Sequence, residues 1–490
     1  MSAGEAVTGE ELCWTPATEL AGMVRAGEVS PSEIAEACIA RIERVNPALN
    51  AIIEWDPEAI RARARALTDQ LDGGGDLGPL HGVPFTLKEA CRVEGTVETL
   101  GLVPLKGSTS TETETFARRM FEAGGLFLGK TNMSEAGYAG SSNNHVYGAT
   151  HNAWKHGVSA GGSSSGAAAG VASGLGQLAE GSDGAGSVRI PAALNGVVGL
   201  KPGIGRIPHT IVPARYETFL GYGTIARTVA DAALMLDVLA HPDPSDPLSL
   251  PDDGSEFLAA AGEGLGRLRV AWSPNLGFEA EVDPEIAAVC ERAAMAFAEL
   301  GCEVVEADPG WENPEEPMWE GIWKPAYATM VDLFDWDAYE GQVDAELVQV
   351  IREGAAAKAL DVALAGEARG RMWDRFAAFM GDYDLLLSPT LSRGAFPVDA
   401  YAPPALDGEP LRRRMLGWLL TYPTNMLGTP AISVPAGFES QGVPVGLQIA
   451  GGLHSEALVI RAAAAFEAAR PWTDRRPPDP DPETTAEVSR

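Results

Sequence analysis

Two serine-bearing turns and one lysine carry the chemistry most readily read from this 490-residue chain. The turns are Gly161-Gly162-Ser163-Ser164-Ser165-Gly166 and the run GAGSVRIPA from Gly184 to Ala192, both within the stretch from Ser159 to Pro202. Glycines packed beside a serine suit acyl transfer: backbone N–H groups can approach a developing oxyanion closely while the hydroxyl attacks the carbonyl. A flexible linker has a similar composition. A linker, however, is not interrupted by a helix of Ala, Val and Leu, nor followed by apolar runs such as those in SVRIPAALNGVVGLKP.

The lysine is Lys88, in GVPFTLKEA from Gly82 to Ala90, directly after a strand-like apolar run. The chain has only seven lysines, so general surface charging does not explain one at this position. The alternative is a salt-bridged lysine at a strand end.

On these three motifs the sequence resembles the amidase-signature family. The resemblance implies that Ser187 is the nucleophile, Ser163 the bridging serine after a cis peptide bond, and Lys88 the general base. It also implies an oxyanion hole from the N–H groups of Gly184, Ala185, Gly186 and Ser187. Ser164 is assigned a supporting place beside the site, and Asp183 and Arg189 would brace the loop by pairing. Lys88 must then be dry, because an amine of pKa about 10.4 must fall about three units, or about 4 kcal/mol, to act at neutral pH. Three positions depart from the family pattern: Ala185 and Ser165 replace commoner glycines, and Glu89 replaces the usual Asp. Ala185 keeps its N–H but restricts φ, which predicts an altered loop.

The resemblance continues in GKTNMSEAGYAGSSNNHVYGATHNAW from Gly129, YDLLLSPT from Tyr383 and TNMLGTPAISVPAGFESQGVPVGLQIAGG from Thr424. By position, Gly137 and Tyr138 would approach the acyl part of a substrate, although Tyr138 reads equally well as a core-packing ring. Between Gly205 and Leu385 the match is poor and leaving-group recognition is unread. The implied substrates are small amides, aryl amides or carbamates, with no metal and no organic cofactor.

Two further motifs compete. GGLFLGKT from Gly124 to Thr131 fits the phosphate-loop pattern, but its variable positions form an apolar strand where a phosphate-cradling loop belongs. GSSSG from Gly162 to Gly166 fits a nucleophile elbow, with Ser164 as the nucleophile of an α/β-hydrolase esterase and His454 as the late histidine. That scheme leaves Lys88 and the second turn unexplained. A third reading is the glutamine-hydrolysing component of a tRNA amidotransferase, which shares these motifs and acts with a partner.

The elements that must position these residues follow an α/β rhythm. Ser30 caps a helix running to Pro47, residues 57–72 repeat the amphipathic pattern, and VPFTL, GLFLG and GVVGL alternate with TFARRMFEA and VADAALMLDVLA. A large mixed sheet sandwiched by helices is expected. We divide one catalytic domain, 1–478, into N-terminal helices 1–75, a signature core 76–240, a variable region 241–395 and a C-terminal core 396–478. The aromatic- and Met-rich part from Trp311 to Met380 is expected to form an apolar helical lid. The Pro-rich tail 479–490 is expected to be disordered.

A formal charge of −32 opposes nucleic-acid and anionic membrane partners. It leaves open ordinary solvation or salt adaptation. Five scattered cysteines without a C-x-x-C pair encode neither a disulfide framework nor a zinc site, and fit a reducing cytoplasm. No signal-peptide pattern or membrane-length apolar run is seen, and a homodimer is compatible with the sequence.

Overall fold

The computed structural model describes residues 9–278 and 281–480. Its centre is one mixed sheet of eleven strands in the order β1-β3-β2-β4-β6-β5-β10-β11-β9-β7-β8. In chain order these are β1 (Ile52–Glu54), β2 (Pro84–Lys88), β3 (Leu126–Thr131), β4 (Leu178–Asp183), β5 (Val198–Lys201) and β6 (Gly221–Ala226). Then come β7 (Arg269–Trp272), β8 (Glu303–Glu306), β9 (Leu385–Pro389), β10 (Ala431–Phe438) and β11 (Pro444–Ala450). β2 runs parallel to β3 and β4, β7 runs parallel to β8 and β9, and the remaining pairs are antiparallel.

Both faces of the sheet are covered, which explains why the central strands read as continuous apolar runs. Leu385 and Leu387 join one core with Val270, Trp272, Leu447 and Ile449, whereas Leu386 and Ala271 join another. The first core is closed by the helices Val229–Leu239, Pro284–Glu299 and Glu456–Ala469. The second gathers Trp311, Trp319, Trp323, Trp336 and Phe376 from the segment expected to form a lid, and packs them with Tyr138, Ala185 and Ile190.

The helix Pro31–Leu49 starts with the capping box of Ser30 and Glu33. It continues past Pro47 to Leu49, two residues beyond the expected stop, and Asn50 closes it in the left-handed conformation. Proline removes one N–H bond there, in the final turn, where termination by Asn50 follows at once. The helix Pro57–Asp72 occupies the expected span. Lys130, the lysine of the phosphate-loop decoy, lies inside β3 with its ammonium donating to the Cys91 carbonyl. Of the C-terminal tail, Asp479 pairs with Arg41 and Arg44, and residues 481–490 lie outside the described residues.

Replacing Ser30 with Ala removes one partner of the capping box. We expect a loss of about 1 kcal/mol in urea unfolding with unchanged catalytic constants.

Candidate active site

β2 and β4 are adjacent and parallel, so their carboxyl ends deliver Lys88 and the segment Glu180–Asp183 to the same edge of the fold. Lys88 is 1% exposed. Its Nζ donates to Ser163 Oγ at 2.7 Å and to Ser182 Oγ at 2.8 Å, and its backbone N–H donates to Glu180 Oε2 at 2.8 Å. Burial lowers the amine to a pKa of about 8, against the opposing pull of the Glu180, Asp183 and Glu89 carboxylates. The same burial raises Glu180 to about 7. Lys88 is thus a hydrogen-bonded amine in a dry site, rather than the salt-bridged strand-end lysine of the alternative reading.

The first serine turn meets Lys88 through Ser163, which follows a cis peptide bond from Gly162. No side chain fits at Gly162, since a Cβ there would lie 1.8 Å from the Ser141 carbonyl oxygen. Ser134 N–H donates to the Ser163 carbonyl at 3.2 Å, and Ser164 N–H donates to the Ser187 carbonyl at 3.1 Å, so main chain joins the two serine turns. Gly137 lies beside them: a Cβ on it would come 3.5 Å from Ser163 Oγ. Beyond Ser164 the small-residue helix Ser165–Ala172 is buried at every position.

The second turn is held by a fully buried ion pair. Arg189 Nη2 and Nε donate to Asp183 Oδ1 and Oδ2 at 2.9 and 3.0 Å. Burial opposes the charge on Asp183, but the guanidinium outweighs it and lowers the carboxyl to about 2. Arg189 Nη1 also reaches the Thr421 carbonyl, Thr424 Oγ1 and Gln448 Oε1, and Nη2 reaches Asn425 Oδ1. Asp183 accepts from Gly186 N–H at 2.7 Å and Val188 N–H at 3.2 Å.

The Gly186 amide is therefore engaged inside the loop. Among the described residues no hydrogen bond takes up the amides of Gly184, Ala185 or Ser187. Ala185 lies outside the left-handed region, so its methyl group imposes no strain, while the positive φ falls on Gly186 at +130°. A Cβ on Gly186 would meet Thr421 Oγ1 at 2.1 Å.

Ser187 opens on a narrow cavity lined by Tyr138, Ala139, Gly140, Ala185, Ile190, Trp323, Met415, Leu416 and Leu419. The Tyr138 ring forms wall, but its hydroxyl is engaged with the Asp344 carboxylate. A larger cleft between Trp154, Phe438 and Arg475 contains none of the site residues. Ser164, the elbow alternative, is buried with its hydroxyl on the Ser182 carbonyl at 3.4 Å. His454 is exposed in the loop before the last helix, and no hydrogen bond links the two among the described residues. Sequence reasoning assigned no part to Glu180, Ser182, Thr421, Asn425 or Gln448. The one available signal was strand alternation, which sets Glu180 and Ser182 on one face of β4.

A model of the family described as Amidase matches residues 33–460. The chain belongs to the amidase family. It is 52% identical to an acylamidase of Rhodococcus erythropolis over 96% of this chain and 99% of that protein. It is 32% identical to a component of the glutamyl-tRNA(Gln) amidotransferase of Synechococcus sp. (strain CC9605), over 93% of this chain and 96% of that one. A crystal structure of a bacterial aryl acylamidase of the amidase-signature enzymes superposes with a TM-score of 0.88 at 32% identity, covering 94% of this chain and 97% of the other. As a member of the amidase family, the chain is a hydrolase acting on the C–N bonds of amides. Among the described residues no helix is long and apolar enough to cross a membrane.

Arg189→Met leaves Asp183 buried without its counter-charge and should lose about 3–5 kcal/mol of stability in urea unfolding. The Asp183 contribution is fully present above its ordinary pKa of 3.8 and is lost as pH falls towards about 2. If the neutral Lys88 amine is the active form, kcat/KM rises with pH and levels off above about 8. Because the Glu180 carboxylate raises the Lys88 pKa, Glu180→Gln should move that inflection to lower pH.

Proposed function

We propose that this chain hydrolyses small amides and aryl amides through an acyl-enzyme formed on Ser187, with Ser163 and Lys88 as its proton relay. The observation that carries this reading is the 2.7 Å hydrogen bond from the buried Lys88 amine to Ser163 Oγ, with Ser163 in the turn whose main chain meets Ser187. In the neutral-amine state Lys88 accepts the Ser163 proton while Ser163 accepts that of Ser187. Ser187 Oγ then bonds to the carbonyl carbon. The free amides of Gly184, Ala185 and Ser187 are the candidate donors to the resulting oxyanion, each worth about 3–4 kcal/mol when well aimed.

Collapse of the tetrahedral species breaks the C–N bond, and the proton on Lys88 returns through Ser163 to the leaving amine. Water then repeats the sequence on the acyl-enzyme and restores Ser187. Ester and carbamate carbonyls pass through the same species, so esterase and urethanase activities belong to the proposal.

The acylamidase relative, at 52% identity, supports a free-standing amidase over the amidotransferase component, at 32%. The apolar cavity wall of Ile190, Met415, Leu416 and Leu419 favours aryl or aliphatic acyl groups over small polar ones. Five buried free thiols favour a reducing compartment, and we place the reaction in the cytoplasm.

The test is hydrolysis of a panel of aryl amides, aliphatic amides, carbamates and esters. Ser187→Ala, Ser163→Ala and Lys88→Ala should each lower kcat by about a thousandfold or more, with Ser164→Ala retaining most activity. Loss in Ser164→Ala alone would transfer the chemistry to the elbow serine. A wild type inactive on every substrate would favour a partner-dependent amidotransferase.

A further inference from the structure

Trp323 differs from three of the tryptophans that share its core. Trp311, Trp336 and Trp418 share its core, and each donates its indole N–H to a main-chain carbonyl, those of Met372, Met330 and Arg414 at 3.1, 3.1 and 3.0 Å. Trp323 is as deeply buried, at 5% exposure, yet its Nε1 has no hydrogen-bond partner among the described residues. An indole nitrogen is a donor only, and buried donors are ordinarily paired, so this N–H has a hydrogen bond left to give.

Three features place that indole ring at the site. Trp323 lines the same cavity as Ser187. Its ring abuts the catalytic loop, since a Cβ on Gly184 would meet Trp323 Cζ3 at 3.3 Å. It ends the π-helical turn Trp319–Trp323, an irregularity that recurs at functional sites because it redirects side chains from the regular helical register. The indole is also held in place, with Phe219 and Tyr327 at centroid distances of 6.3 and 5.5 Å, and Tyr327 Oη donates to the Ala136 carbonyl at 3.3 Å.

We propose that Trp323 is a specificity-determining residue whose indole N–H donates to an uncharged oxygen or nitrogen acceptor carried by the substrate near the scissile amide. The inference rests on Ser187 as the reacting serine. The other side chains of the wall leave such an acceptor little choice: Ile190, Met415, Leu416 and Leu419 are apolar, and the Tyr138 hydroxyl is engaged with Asp344. Among the described residues no cation lines the cavity, so an ether, ketone or ring nitrogen suits it better than a carboxylate. The substrates selected are apolar amides bearing one neutral acceptor.

The experiment compares wild type with Trp323→Phe on pairs matched in shape: methoxyacetanilide with butyranilide for the acyl side, and N-(2-methoxyethyl)benzamide with N-butylbenzamide for the amine side. Taking the ratio of wild type to variant for each substrate cancels intrinsic reactivity. In at least one pair, the variant should lose about tenfold or more in kcat/KM on the ether and stay within about threefold on the hydrocarbon. Equal losses on both members of each pair would assign Trp323 to packing alone and overturn the proposal, as would no loss on any substrate. Should Trp323→Phe fold poorly, 3-benzothienylalanine at position 323 replaces N–H by sulfur in the same outline and gives the same readings. Hydrocarbon substrates still cleaved by the variant, but not by Ser187→Ala, separate failure of this inference from failure of the catalytic reading.

Discussion

Asp183 and Arg189 form the interaction on which the rest of the site depends. Two opposite charges withdrawn from water are tolerable only when paired and when their remaining polar atoms are satisfied. Here the guanidinium reaches Asp183, Thr421, Thr424, Asn425 and Gln448, and the carboxylate additionally accepts the Gly186 and Val188 amides. The loop bearing Ser187 is thereby fastened to the helix Tyr422–Leu427 and to β11, far along the chain. Its shape is set by a fully buried ion pair that dissolved salt screens far less than a surface one.

Lys88 meets the opposite condition. It is buried among carboxylates that would stabilise its charge, yet burial prevails and the amine falls to about 8. Had Glu180 been a direct ligand of the ammonium, the site would hold a permanent cation. Instead Glu180 accepts the Lys88 backbone amide, and the amine faces the two hydroxyls of Ser163 and Ser182. The side chain is thus close enough to hydroxyls to exchange a proton and dry enough to be willing to.

Much of this was legible in the chain because its signals are local. Ser30 and Glu33 announce a helix start, the strand pattern ends on Lys88, and the glycines around Ser163 and Ser187 mark turns. The amidase membership expected from those turns is shown by relatives that span nearly the whole chain. What escaped was set by contacts distant in sequence. Ser182 is one serine among many until β2 lies beside β4, and Thr421 and Gln448 acquire a role only when Arg189 reaches them. The commitment of Gly186 N–H to Asp183 is a tertiary choice, as is the π-turn at Trp323, which helical periodicity cannot encode. Pro47 shows the converse error, a local rule applied two residues too early.

The burial of lysines has a practical side. Of the seven in the chain, Lys88, Lys130, Lys201 and Lys324 are buried, and only Lys106, Lys155 and Lys358 are exposed. A resin or label that couples to primary amines therefore has three anchor points among the lysines and no ready access to the one at the site. Attachment would fix the molecule in a small set of orientations, and the acidic remainder of its surface would be left unmodified.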